Sequence, residues 1–288
     1  MRGADAATAI TAADEGFVVY QHKRGWAALN LREVWKYREL LWFLTWRDVS
    51  IRYKQAVLGV AWAVIQPVLT MLVFTAVFNQ ALKVSPDPNV PYPVFSFSGL
   101  LVWQYFSGGL SRAGNSLVGG SQLITKVYFP RLVLPLSGVT APLVDLAISF
   151  VVLLILMGIL GVAPVWTIIF FPVFVLLALL TALAGGLWLS ALNVLYRDFQ
   201  YIIPLFLNLF MFASPIIYSM DQLHGWLKVV VSLNPMTGAV LGARWAILGT
   251  PWPADLNYMW IGTGAMLVLL FGGFFFFKRI ERVFADVV

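Results

Sequence analysis

The chain has 288 residues, of which 60% are hydrophobic and only 11% are charged, whereas soluble domains carry about 25% charged residues. Apolar runs longer than about 18 residues recur, which excludes a soluble globular protein and predicts a polytopic membrane protein. The absence of cysteine excludes disulfides, thiolate metal sites and cysteine nucleophiles. The net charge of +6 does not indicate nucleic-acid binding, because the position of each Lys and Arg matters more than their sum in a membrane protein.

The chain is predicted to have three parts. Residues 1–30 are polar and form a flexible cytoplasmic tail, residues 31–56 form an amphipathic helix, and residues 57–288 form the transmembrane domain. On the predicted helix, one side carries the apolar residues Leu31, Val34, Trp35, Leu41, Trp42, Trp46 and Val49. Because indole rings prefer the headgroup zone, the three tryptophans indicate a helix in the membrane interface rather than on a soluble domain.

Six apolar segments are predicted to cross the membrane, and they define an all-α membrane protein. These predicted spans are residues 57–78, 94–117, 136–160, 165–195, 199–218 and 256–277. The first is interrupted by Gln66-Pro67, which a helix tolerates when a neighbouring group satisfies the carbonyl that the proline frees. Residues 219–255 are cut by glycine and proline into pieces too short to cross about 30 Å of hydrocarbon. We therefore expect a re-entrant helical hairpin on the periplasmic side before the last span.

The distribution of Lys and Arg predicts the orientation of the chain. With six spans, one side of the membrane receives 16 of these residues and the other receives only Lys83, Lys228 and Arg244. Because positive charge accumulates on the cytoplasmic side, both termini are predicted to be cytoplasmic.

Sequence motifs for catalysis are missing. The chain contains no G-x-x-x-x-G-K-[ST] phosphate loop and no H-E-x-x-H motif, so no cofactor or metal is expected on this chain. Asp145 is the one acidic residue well inside a predicted span. An intramembrane carboxylate is a candidate for a proton relay. The favoured interpretation is that Asp145 is neutral or hydrogen-bonded to a hydroxyl or amide of a neighbouring helix.

Three polar clusters are predicted on the cytoplasmic rim. They lie around Arg47 and Asp48, in the segment 126–131, and at the turn 196–198. Each cluster could consist of membrane anchors, whose long side chains extend to place their charges at the membrane surface. Because all three mix aromatic residues with charges, we favour a docking surface for a cytoplasmic protein. The predicted docking residues are Arg47, Asp48, Arg52, Lys126, Tyr128, Phe129, Arg131 and Arg197.

An ordered set of short strings resembles the membrane (permease) subunit of type-2 ABC exporters for polysaccharides such as O-antigen, teichoic acid or capsule. The strings are WRDVSIRYK at 46–54, LGVAW at 58–62, QP at 66–67, ITKVYFPR at 124–131, LNVLYRDF at 192–199, SPIIY at 214–218 and NP at 234–235. The resemblance extends from about residue 30 to the end of the chain.

The resemblance implies a homodimer in the bacterial inner membrane that binds two separate ATP-binding-cassette subunits. ATP and Mg²⁺ are then expected on the partner subunits, and a lipid-linked polysaccharide is the expected substrate. Aromatic faces suit a channel in which a sugar polymer slides, because they stack on sugar rings without fixed hydrogen bonds. The candidate channel-lining residues are Trp62, Trp103, Tyr105, Phe106, Phe206, Phe210 and Tyr218.

Two alternative functions remain open at this stage. One is an ABC permease for a drug or a lipid. The other is an ion-coupled carrier or a membrane-embedded enzyme, which needs a cluster of intramembrane charges. The predicted spans offer only Asp145 for such a cluster.

Overall fold

The computed structural model describes residues 31–54, 59, 61–83, 90–250 and 257–281. The predicted tail, residues 1–30, and the predicted connection between the interface helix and the first span, residues 55–58, lie outside this part of the chain. Within it, every regular element is helical. The helices are α1 Leu31–Lys36, α2 Arg38–Lys54, α3 Ala61–Phe74, α4 Tyr92–Gly119, α5 Ser121–Lys126, α6 Val133–Thr140, α7 Leu143–Ile159, α8 Phe171–Leu195, α9 Phe199–Phe212, α10 Trp226–Leu233, α11 Pro235–Leu248 and α12 Asn257–Ile280.

Four helical segments in the described residues are long and apolar enough to cross a membrane: Ala61–Ala81, Val133–Ile159, Trp166–Leu195 and Trp260–Ile280. The first joins α3 to a π-helical extension, and the third joins a 3₁₀ turn to α8. Helix α4 has 28 residues and is long enough, but its glycine and serine residues make it less apolar. Helix α9 has 14 residues and a length of about 21 Å at 1.5 Å per residue. The other two predicted spans stay predictions.

Helix α4 lies at the centre of the helical body and packs against α3, α6, α7, α8, α9 and α11. Small residues allow the closest approaches. A Cβ atom placed on Gly186 of α8 would lie 2.5 Å from the Cβ of Ala113, and one placed on Gly138 of α6 would lie 2.7 Å from the backbone nitrogen of Ala113. Glycine at these positions therefore lets three helices meet around one alanine.

The proline in α3 is accommodated as predicted. Pro67 is buried inside the helix and cannot donate the hydrogen bond that would satisfy the carbonyl of Ala63. The hydroxyl of Ser149, on α7, donates to this carbonyl at 3.2 Å. A neighbouring helix thus replaces the missing backbone bond, and α3 continues through the proline.

The third predicted span is broken in the structure. It consists of α6 and α7, which are separated at Ala141 and Pro142. Proline favours such a break, because it lacks the N–H group that would continue the helical hydrogen bonds.

The predicted interface helix is also two helices, α1 and α2, and its inward face differs from the predicted apolar stripe. Leu44 and Val49 are the buried residues of α2, although Leu44 was not on the stripe. Trp35, Trp42 and Trp46 are 69%, 69% and 55% exposed. The predicted stripe is therefore divided: Val49 faces the helical body and Val34 and Leu41 pack against it, whereas the three tryptophans do not. Aliphatic residues attach the helix to the protein, and the tryptophans point away from it, as a contact with lipid headgroups requires.

Residues 226–248 form a pair of helices, α10 and α11, that meet at Asn234. The Asn234 side chain accepts a bond from the backbone N–H of Met236 at 2.8 Å and donates to the carbonyl of Ala213 at 3.0 Å. Contrary to the prediction, Gly238 and Gly242 do not interrupt α11. A Cβ on Gly242 would lie 2.0 Å from the ring of Phe174, so this glycine permits contact with α8.

Candidate functional site

Asp145 connects the interface helix to the transmembrane helices. It lies in the first turn of α7, and its carboxylate accepts hydrogen bonds from the Arg52 guanidinium and the Tyr53 hydroxyl of α2. The hydroxyl bond confirms the interpretation of Asp145 as hydrogen-bonded to a neighbouring helix. Arg52 was predicted to face a cytoplasmic partner, but the structure turns it towards α7.

Two further features fix α2 in place. Burial, together with the hydrogen bond to Asp145, raises the pKa of Tyr53 above its ordinary value, so this hydroxyl stays protonated and donates. About two helical turns earlier on α2, the Thr45 hydroxyl lies 2.8 Å from the Thr140 hydroxyl, which links α2 to α6. Helix α2 is thus bound to both halves of the broken span.

The segment 126–131 presents only part of the predicted docking cluster. Lys126 ends α5, and Tyr128 is 66% exposed. Phe129 is buried among the helices, and the Arg131 guanidinium donates to the backbone carbonyl of Glu281 just after α12. Lys126 and Tyr128 can meet a partner, whereas Phe129 and Arg131 hold the segment against the body.

The remaining docking candidates are accessible. Arg47 and Asp48 form an ion pair with each other at 2.9 Å. Arg197 is exposed in the turn that precedes α9. The docking role of all eight residues stays a prediction, and the structure adds that Lys126, Tyr128, Arg47, Asp48 and Arg197 are accessible on this chain.

Four of the candidate channel residues form one aromatic cluster between α4 and α9. The ring centroids of Trp103 and Phe106 are 5.3 Å apart, and Phe210 lies 6.0 and 6.2 Å from these two rings. Phe206 stacks on Phe210 at 4.9 Å. Trp103 and Phe106 are buried within the single chain, whereas Phe206 is exposed.

The other three channel candidates have no ring contact with this cluster in the described part of the chain. Tyr105 is buried and donates its hydroxyl to the Val139 carbonyl at 3.1 Å. Tyr218 donates to the Phe212 carbonyl at 3.1 Å, and Trp62 is exposed on α3. A role in lining a channel stays a prediction for all seven residues. Among the seven, Trp62 and Phe206 have exposed side chains in the single chain.

A small pocket lies beside the Asp145 contacts, between α3, α4 and α7. Its volume is about 140 Å³. The polar residues in its wall are Arg52, Gln66, Gln104, Ser107, Asp145 and Ser149, and Trp62 is also part of the wall. Sequence analysis missed this pocket, because its residues come from four separated parts of the chain.

Sequence analysis also missed the role of Arg244. It was counted among the positive charges on the side opposite the termini, and it is buried in α11. Its guanidinium donates to the carbonyls of Pro215 and Ile216 at 3.1 Å and of Phe95 at 3.4 Å. It also lies 3.6 Å from the centroid of the Phe95 ring. Arg244 therefore holds α11, the start of α4 and the segment after α9 together.

Comparison with known proteins places the chain among transport proteins. The ABC-2 type transporter family matches residues 39–248. The chain is 32% identical over 261 residues to the O-antigen export system permease protein RfbA of Myxococcus xanthus, across 90% of this chain and 98% of that protein. Identity is 27% over 258 residues with the RfbA permease of Klebsiella pneumoniae, across 87% and 95% of the two chains.

A more distant relative is the polysialic acid transport protein KpsM of Escherichia coli. It is 25% identical over 243 residues, across 82% of this chain and 91% of the relative. The family match covers well over half of the sequence, and the similarity to the permeases extends over nearly the whole length of both chains. The chain belongs to the ABC-2 type transporter family.

Proposed function

We propose that this chain is the channel-forming membrane subunit of an ATP-driven exporter that moves a lipid-linked polysaccharide from the cytoplasm to the periplasm. The observation that carries the proposal is the near full-length similarity to permeases named for O-antigen export and polysialic acid transport. A sugar polymer cannot cross lipid unaided, because its hydroxyls would lose water without replacement. A channel protein with an energy source is therefore required.

The proposed arrangement has six spans, an interface helix, a periplasmic re-entrant hairpin, and both termini in the cytoplasm of the inner membrane. Two contacts support it, because they bring together elements assigned to one side. Helix α2 is bonded to Asp145, in the cytoplasmic half of the third predicted span, and Arg131 is bonded to the carbonyl of Glu281, just after α12. The charge distribution also supports it. Arg112 lies within α4 and Arg244 is buried. Without these two residues, 15 Lys and Arg residues remain on the proposed cytoplasmic side and two remain on the opposite side.

The proposed assembly is a homodimer with two ATP-binding-cassette subunits, which bind ATP and Mg²⁺. The sequence has no phosphate loop of its own, so the nucleotide chemistry belongs to the partner. The exposed Lys126 and Tyr128 and the neighbouring clusters form the docking surface for it. Trp62 and Phe206, exposed on the single chain, suit the channel wall that a second copy completes.

The decisive experiment deletes the gene for this chain and restores it together with its ATPase partner. Deletion is expected to leave the lipid-linked glycan on the cytoplasmic face, and the intact pair is expected to restore surface polymer. A partner that binds but cannot hydrolyse ATP is the matched control and should not restore it. Export that continues with the inactive ATPase would contradict the proposal. Transport of a drug instead of the glycan by reconstituted vesicles would also contradict it.

A further inference from the structure

The pocket between α3, α4 and α7 contains hydrogen-bond donors that have no partner among the described residues. The side-chain amides of Gln66 and Gln104 line it, and within the described residues neither amide makes a hydrogen bond. The Ser149 and Ser107 hydroxyls, by contrast, donate to backbone carbonyls. Polar groups in a transmembrane segment need partners, because lipid supplies none. Gln66 is exposed and Gln104 is half-buried, so both amides are free to donate to an occupant with acceptor atoms.

Positive charge lies further along α4 from the pocket. Gln104, Gly108 and Arg112 are spaced by four residues along α4, so they share one face of the helix, and the first two line the pocket. Arg112 is half-buried and makes no hydrogen bond or ion pair with another described residue. It interacts electrostatically with Arg52, Tyr53, Asp48 and Asp145.

The charges at this site do not cancel. Asp145 is bonded to Arg52 and Tyr53, and Asp48 is paired with Arg47. Among the described residues, the three guanidinium groups of Arg47, Arg52 and Arg112 thus exceed the two carboxylates by one positive charge. A guanidinium in this setting requires a negatively charged partner with several acceptor atoms, since it carries five donors in a fixed plane.

We propose that this pocket binds the phosphate group of a membrane lipid. Phosphate offers several acceptor oxygens to the Arg112 and Arg52 guanidinium groups and to the two glutamine amides, and it supplies the missing negative charge. Arg52 belongs to the tryptophan-bearing helix α2, so one side of the pocket is formed by the helix that is expected at the depth of lipid headgroups. The phosphate comes either from an ordinary anionic phospholipid or from the lipid that carries the glycan. Only the second source rests on the proposed function.

Native mass spectrometry of the purified full-length protein tests this assignment. The probes are two matched pairs: phosphatidylglycerol with diacylglycerol, and a polyprenyl phosphate with the corresponding polyprenol. The wild-type protein is expected to retain the phosphate-bearing member of at least one pair. The Arg112→Gln variant should bind that lipid about tenfold more weakly, because a charge-assisted contact is lost. Arg112→Lys should retain most of the affinity.

Arg279→Gln is the control, because it removes the same charge from an exposed position at the end of α12. Its lipid binding should equal that of the wild type. If Arg112→Gln does not fold, Gln104→Leu tests the same pocket and should also weaken phosphate-lipid binding.

Equal binding by wild-type and pocket variants, or equal retention of the phosphate-free lipids, would overturn the proposal. A preference for polyprenyl phosphate identifies the carrier lipid, and a preference for phosphatidylglycerol identifies a bulk phospholipid. Neither result depends on ATP or on export.

Discussion

At Asp145, one carboxylate receives two donors from the same interface helix. Arg52 and Tyr53 are adjacent in sequence, yet both reach this residue, which lies more than 90 positions later. A proton relay needs a carboxylate that is free to exchange its proton. A carboxylate held by a guanidinium and a phenol is better suited to fixing the position of a helix. This is the physical reason to favour a mechanical role for Asp145 over ion coupling.

Exchanging the charges tests that role. Asp145→Asn removes the charge that both donors contact, and we expect a loss of about 1–2 kcal/mol in unfolding free energy, since the pair is partly solvent-screened. The double variant Arg52→Asp with Asp145→Arg should recover part of this loss, because the ion pair re-forms while Tyr53 loses its acceptor. Thermal unfolding of the purified protein and its glycan export are the two measurements. If the double variant lost as much unfolding free energy as the two single variants together, the positioning role of Asp145 would be contradicted.

The contacts of individual residues were the least predictable from the sequence. It identified Asp145 and Arg52 as notable residues but could not pair them, because pairing depends on tertiary contacts. Phe129 resembled an interface anchor in sequence, and only the structure shows that it is buried. The pocket residues gave no local signal. The nearest signal was an arginine outside the pocket wall, Arg112, inside a long and otherwise uncharged helix.

At the scale of elements, the segment 126–131 combines two opposite roles in neighbouring residues. Tyr128→Ala should weaken binding of the ATPase subunit by about 2 kcal/mol, as expected for an exposed aromatic anchor, and leave the thermal stability of the chain unchanged. Phe129→Ala should instead lower that stability by about 3–5 kcal/mol, because it opens a cavity in the core. Co-purification yield and thermal unfolding separate the two effects. The same loss of partner binding at unchanged stability in both variants would contradict this division.

The long apolar elements were predicted well. The fourth predicted span, residues 165–195, matches the helical segment Trp166–Leu195, because a long apolar run without polar interruption has few alternatives in a membrane. The fifth was predicted to reach residue 218, but α9 ends at Phe212. The segment that follows supplies backbone carbonyls to Arg244, a distant contact that the sequence does not reveal.

At the scale of the whole molecule, the six-span orientation can be tested directly, because the chain has no native cysteine. Gln222, exposed before α10, should react as a cysteine variant with an impermeant thiol reagent added outside spheroplasts. Val127→Cys, exposed beside Tyr128, should react only after the membrane is opened. Asn234 is unsuitable for this labelling, since its side chain is buried and hydrogen-bonded. Labelling of Gln222→Cys only from the cytoplasm would contradict the orientation.

The polarity of α4 also constrains how the protein is made. Asn115 of α4 bonds to Asn193 of α8 at 2.9 Å, and the carbonyl of Gly114 accepts from the same Asn193 side chain at 3.3 Å. These partners are synthesised about 80 residues after α4 itself. The insertion machinery releases a helix into lipid according to the apolarity of that helix. In the proposed six-span arrangement, α3 can enter the bilayer alone, whereas α4 should stay at the translocon until α8 arrives to cover its polar groups. The order of insertion then follows the order of packing rather than the order of synthesis.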